Sequence, residues 1–138
     1  SYIIDVDMKT NLLRKAKVTA SSERGKKFSA KKLKDGKWDT YWATPDGENS
    51  GSVTFTFSKP TKVHQLLLQE YIPLGQRVKS FTVEALVGDR WKMVDAGEPP
   101  TTIGYKRILR FSALEVSAIR VSITDARGPI CLNNIEAY

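Results

Sequence analysis

From residue 52 onward, apolar and polar side chains alternate with a period of two, the pattern of strands that bury one face. In "SVTFTF", Val53, Phe55 and Phe57 point one way and Thr54 and Thr56 the other. "SFTVEAL" sets Phe81, Val83 and Ala85 against Thr82 and Glu84, and "AIRVSIT" sets Ile119, Val121 and Ile123 against Arg120 and Ser122. Further strands are expected at "KVTAS", "VHQLLLQ", "RWKMV", "KRILRF" and "CLNNIEAY", separated by turn signals such as "SKPT", "VGDR", "GEPP" and "ARGP". One short helical turn is expected at "SAKKLKDG", with Ser29 placed to cap its start and Gly36 to end it. About eight short antiparallel strands with so little helix predict an all-β fold, a sandwich or jelly roll.

Counting reversals extends that prediction. The turns near Lys59, Gly88 and Ala113 fall at one end, and the longer loops at 22–29, 43–51, 70–77, 96–105 and 125–130 at the other. The count sets residues 33–40 at the short-turn end with the C-terminus, so the turn "LKDGKWDT" and "NNIEAY" are expected to meet. Residues 1–10 fit the alternation poorly and read as an interdomain connector, leaving 11–138 as one domain. The opening at Ser1 in place of Met suggests a piece of a longer chain.

Composition narrows the function. At 138 residues, 41% hydrophobic and 27% charged, the chain has length for one core, and no apolar run approaches a membrane span. The net charge of +7 admits anionic partners, a phospholipid surface or nucleic acid, yet Lys26, Lys27, Lys31, Lys32, Lys34 and Lys37 form the sole dense cluster and also read as a solvated face. Cys131 is the single cysteine, which excludes an internal disulfide and suits buried packing. His64 is the single histidine, so a multi-histidine zinc site is not available. A glycosidase needs two carboxyls facing each other at roughly 5 to 10 Å. Asp35 and Asp39 lie in one tight turn and cannot straddle a sugar ring, and no other catalytic motif is present. No catalytic residue is assigned.

"NLLRKAKVTASS", "LKDGKWDTYWAT", "FTVEALVGDRWKMV" and the closing "IEAY" resemble the coagulation factor 5/8 type C, or discoidin-like, domains, also called family 32 carbohydrate-binding modules. "LQEYIPLGQRVKSFTVEA" and "TTIGYKRILRF" look like the C-terminal domain of α-L-fucosidases of glycoside hydrolase family 29. The resemblance implies a galactose-binding-like jelly roll with a sugar-binding role, appended to a retaining catalytic barrel, in a secreted or periplasmic bacterial enzyme. It also implies a structural calcium ion held by the side chains of Asp35 and Thr40 and the carbonyls of Lys32, Lys37 and Thr40. Asn134, with Glu136 beside it, stands where the family's last acidic ligand lies. The other reading of Asp35-Gly36 is a plain helix stop and turn.

Sugars are held by an aromatic face against the ring's C–H patch, with planar polar groups on paired hydroxyls. At the long-loop end Tyr71 and Tyr105 are the expected platforms, Arg77 and Glu70 the bidentate partners, and Arg24 and Arg127 the rim donors; the expected ligand is a terminal galactose- or fucose-containing glycan. The alternative is that Tyr71 is packing, that Arg77 pairs with Glu70, and that these loops dock on the catalytic domain without a ligand of their own. Trp38, Tyr41 and Trp42 are expected in the core.

Overall fold

The computed structural model describes residues 10–97 and 99–138. Of the connector assigned to residues 1–10, only Thr10 lies among them. Among the described residues seven strands form: β1 (Lys17–Ala20), β2 (Trp42–Ala43), β3 (Gly51–Glu70), β4 (Val78–Val87), β5 (Arg90–Met93), β6 (Arg107–Ala126) and β7 (Cys131–Ala137). All pairings are antiparallel, in the order β2-β7-β3-β6-β4-β5, with β1 also on β3.

The expected alternation holds: Val53, Phe55, Phe81, Val83, Ala85, Ile119, Val121 and Ile123 are buried, and Phe57 packs against them. The count of separate strands changes. "SVTFTF" and "VHQLLLQ" are halves of the 20-residue β3, and "KRILRF" and "AIRVSIT" are halves of the 20-residue β6. The two strands pair from Gly51↔Ile123 to Leu68↔Arg107, with a register break between Thr56 and Thr61, where Pro60 gives up a donor the ladder does not need there. Partners change across that corner. Before it, β3 lies between β1 and β6; after it, between β7 and β6. One continuous ladder thus supplies both layers of a jelly-roll sandwich, whose shared core includes Trp42, Phe55, Leu66, Leu68, Ile119 and Ile135. Each large apolar side chain buried there contributes about 2 to 3 kcal/mol.

The helical piece at residues 30–34 is a 3₁₀ turn that buries Leu33. Ser29 does not cap it through its side chain; Glu23 Oε2 accepts the Ala30 N–H at 2.8 Å instead. Gly36, at φ +73°, carries the chain onward, and a side chain there would strain the backbone.

Candidate functional site

The long loops gather at one pole, as the reversals predicted. Tyr71 N–H donates to the Cys131 carbonyl, Thr44 N–H to the Ile130 carbonyl, Arg24 N–H to the Ala43 carbonyl and Arg127 N–H to the Arg77 carbonyl, all within 3.1 Å. Glu70 organises this pole from inside. Its side chain is buried, with Oε1 accepting the backbone N–H groups of Arg77 (2.8 Å) and Val78 (3.0 Å), and Oε2 that of Gly104 (2.7 Å). Three donors spend both oxygens. Glu70 therefore shapes the loops at 71–77 and 104, and the expectation of a carboxylate facing sugar hydroxyls is corrected. No Glu70–Arg77 side-chain pair forms either; the Arg77 guanidinium donates to the Pro129 carbonyl at 2.8 Å and leans on Cys131 Sγ at 3.6 Å.

Above that frame runs an aromatic row. The Tyr71 ring stacks on Tyr41, centroids 4.3 Å apart and planes 22° from parallel, and Tyr41 meets Phe28 at 5.2 Å, tilted by 43°. Arg24 lies 5.7 Å from the centre of Phe28, with Nε on the Thr44 carbonyl (3.2 Å) and Nη2 on Asp46 (3.2 Å). Burial pushes the Tyr41 phenol up, Cys131 and Tyr71 add to the rise, and Arg24 and Arg77 pull it back. Burial likewise raises the Cys131 thiol against the same two cations. The phenol and thiol thus stay neutral between two guanidiniums. Tyr41, expected in the core, is half-buried with its ring on Tyr71, and Phe28 was not singled out. A tyrosine flanked by Thr40 and Trp42 carries no local signal of whether it faces solvent, and only the fold brings it to Tyr71.

The remaining candidates stand apart from this row. Tyr105 is 73% exposed, next to Gly104, and its carbonyl accepts from Gln69 Nε2 at 3.3 Å. Arg127 is exposed. Trp42 is buried as expected, with Nε1 on the Ser22 carbonyl, but Trp38 is 76% exposed.

The expected metal cradle is split. Asp35 closes its own turn, accepting Thr40 Oγ1–H at 2.5 Å on Oδ2 and Lys37 N–H at 2.9 Å on Oδ1, with the Lys37 carbonyl 3.5 Å from Thr40 Oγ1. Three oxygens converge there, the hard donor type that calcium takes. The turn does meet β7, since Asn133 Nδ2 donates to the Trp38 carbonyl at 3.2 Å. Asn133 Oδ1 is buried there without a donor. Asn134 Nδ2, however, donates to Gln69 Oε1 (2.8 Å) and Glu136 Oε2 (2.7 Å), and Glu136 Oε1 accepts the Tyr138 hydroxyl. No group of three His, Cys, Asp or Glu side chains suited to a metal occurs among the described residues. The donor set fits a cation held by the turn's oxygens, with little carboxylate help from β7; the Lys32 carbonyl belongs to the 3₁₀ turn that leads into it. The turn is also not at the far pole. Trp38 and Lys37 line a cavity with Gln69 and Asn133, one residue short of the Glu70 and Leu132 pairing, and Tyr41 follows directly.

A model of the F5/8 type C domain matches residues 17–135. The chain belongs to that family. Alpha-L-fucosidase 1 from Arabidopsis thaliana is 33% identical over 134 residues, which are 93% of this chain and 26% of that one. A fucosidase of glycoside hydrolase family 29 from Ruminococcus gnavus, solved with fucose, superposes with a TM-score of 0.85 at 33% identity, covering 98% of this chain and 28% of the other. Chitosan-binding module 1 of a chitosanase/glucanase from Paenibacillus sp. IK-5 shares the fold at 22% identity, TM-score 0.81, over 93% of this chain and 97% of that one. The F5/8 type C chain spans about a quarter of the length of the curated relatives it matches.

Proposed function

We propose that this F5/8 type C domain is a non-catalytic module that binds or positions carbohydrate for an α-L-fucosidase of the retaining type, whose catalytic carboxyls lie in another domain. The observation that carries the reading is the Tyr71–Tyr41 stack flanked by two guanidiniums, an aromatic surface with planar donors at its sides. A fucose or galactose ring set against the phenol row presents its C–H patch to the π face, while Arg24, Arg77 and, from the rim, Arg127 reach its hydroxyls. Tyr105 offers a second, exposed ring beside Glu70. A shallow single site of this kind binds with a dissociation constant on the order of 0.1 to 10 mM. The reading includes a secreted or periplasmic location for the whole enzyme.

Calorimetric titration with fucose, galactose and N-acetyllactosamine tests the site. Saturable binding to at least one sugar is expected, reduced about tenfold or more by Tyr71→Ala. Absence of saturable binding to all three favours the second reading, a docking face for the catalytic domain, which Ile72 (40% exposed) and Leu74 (41% exposed) support.

The reading includes a structural calcium ion on the oxygens of Asp35, Thr40 and the carbonyls of Lys32, Lys37 and Thr40, while Asn134 and Glu136 on β7 are bonded to Gln69, to each other and to Tyr138. Chelator then lowers the melting temperature of the wild type and leaves that of Asp35→Ala unmoved; an equal response in both proteins removes the metal.

A further inference from the structure

A polar trough runs along β7, and it lies on residues the sugar row does not use. Two adjoining cavities, of about 460 and 190 Å³, share Gly36, Asn134 and Glu136 in their walls. The larger falls within the rough 300–1,000 Å³ range of ligand clefts. At one end stands Trp38, whose backbone carbonyl is held by Asn133 while its indole is 76% exposed. Along the floor, Gln69, Asn134 and Glu136 are fixed in a row by hydrogen bonds from Asn134 to both neighbours, from Gln69 to the Tyr105 carbonyl and from Tyr138 to Glu136. At the other end lie Arg14 and Lys34. The Lys34 ammonium is pinned by the carbonyls of Arg14 (3.0 Å) and Ala16 (2.6 Å). The Arg14 guanidinium makes no hydrogen bond or ion pair with another described residue.

These features have one chemistry in common. A flat, open indole matches the C–H face of a sugar ring, and a row of immobilised amides matches hydroxyls at low entropic cost. Two cations, Arg14 and Lys34, against the one carboxylate of Glu136 leave this end net positive, which attracts a negative group. We propose that this trough binds an extended acidic glycan, with one sugar ring on Trp38, hydroxyls along Gln69 and Asn134, and a carboxylate or sulfate against Arg14 and Lys34. The site is separate from the Tyr41–Tyr71 row and stands or falls without it.

Calorimetric titration of the chain with tetragalacturonate, run in calcium and again in chelator so that a metal bridge between ligand and protein shows as a difference, tests the inference. Saturable binding is expected, weakened about tenfold or more by Trp38→Ala and by Arg14→Gln, and unchanged by Lys92→Gln, an exposed cation on β5 at the other end of the strand order. Trp38 and Arg14 are exposed, so both variants keep the wild-type melting temperature and the loss reads as binding. No saturable binding in either condition, binding that survives either of the first two substitutions, or binding that falls equally with Lys92→Gln overturns the proposal.

Discussion

Glu70 carries a charge into the interior and keeps it there because three backbone N–H groups converge on its two oxygens. Removing the carboxylate leaves those donors buried and unpaired, each costing about 1 to 3 kcal/mol, less what water entering the space restores. Glu70→Ala is therefore expected to destabilise the fold by about 3 kcal/mol and Glu70→Gln by less, since the amide oxygen still serves one side; urea denaturation of the three proteins checks the order. A loss under about 1 kcal/mol for Glu70→Ala would mean that the loops at 71–77 and 104 are set by something else. In sequence, Glu70 was one polar residue at a strand end, beside a tyrosine and near an arginine, and that setting suits a ligand contact as well as a buried anchor. The distinction is made by Gly104, 34 positions away, whose N–H completes the acceptor set.

Strand β7 ends in a hydrogen-bonded pair of titratable groups, which gives the element its own pH signature. The Tyr138 phenol is pushed up to about 12 by burial first, then by its hydrogen bond to Glu136 and by that residue's charge, with Arg14 opposing. The fold favours the neutral phenol, so this stabilisation is whole below pH 10, the ordinary value, and is lost as pH climbs from 10 toward about 12. Tyr138→Phe lacks the hydroxyl and should be less stable than wild type at neutral pH, with the gap closing through that window. Urea midpoints measured at several pH values test the sign; a gap that stays constant to high pH would detach Tyr138 from the effect. At this scale much was legible in the sequence, because two-residue alternation is a local property that fixes which side of "SVTFTF" and "AIRVSIT" is buried. The fusion of four of the eight segments into two long bent strands was not, since a corner with Pro60 looks the same whether the ladder ends there or continues into the other layer. Nor was β2, two residues paired with Leu132 and Cys131 across about 90 positions, for which no local pattern exists.

Across the whole molecule, the aromatic row and the β7 trough stand on a rigid sandwich that spans about a quarter of the fucosidases it matches. A weak site becomes useful by tethering: holding one sugar of a branched glycan raises the local concentration of the others at the catalytic domain, without any new contact to the scissile bond. If the proposed fucosidase setting holds, that division of labour predicts a split in the kinetics of the whole enzyme. Tyr71→Ala in the full-length protein should raise KM on multivalent glycoprotein substrates about threefold to tenfold and leave kcat and KM on a small aryl fucoside at wild-type values, because a monovalent substrate occupies the catalytic pocket and gains nothing from a distant row. Docking in place of sugar binding gives the opposite pattern. If Ile72 and Leu74 pack on the catalytic domain, Ile72→Ser with Leu74→Ser lowers the melting temperature of the whole enzyme and impairs both substrates alike, while Tyr71→Ala has no preference between them. Comparing the two variants on the two substrates therefore separates a glycan-holding pole from a structural one in a single set of rate measurements.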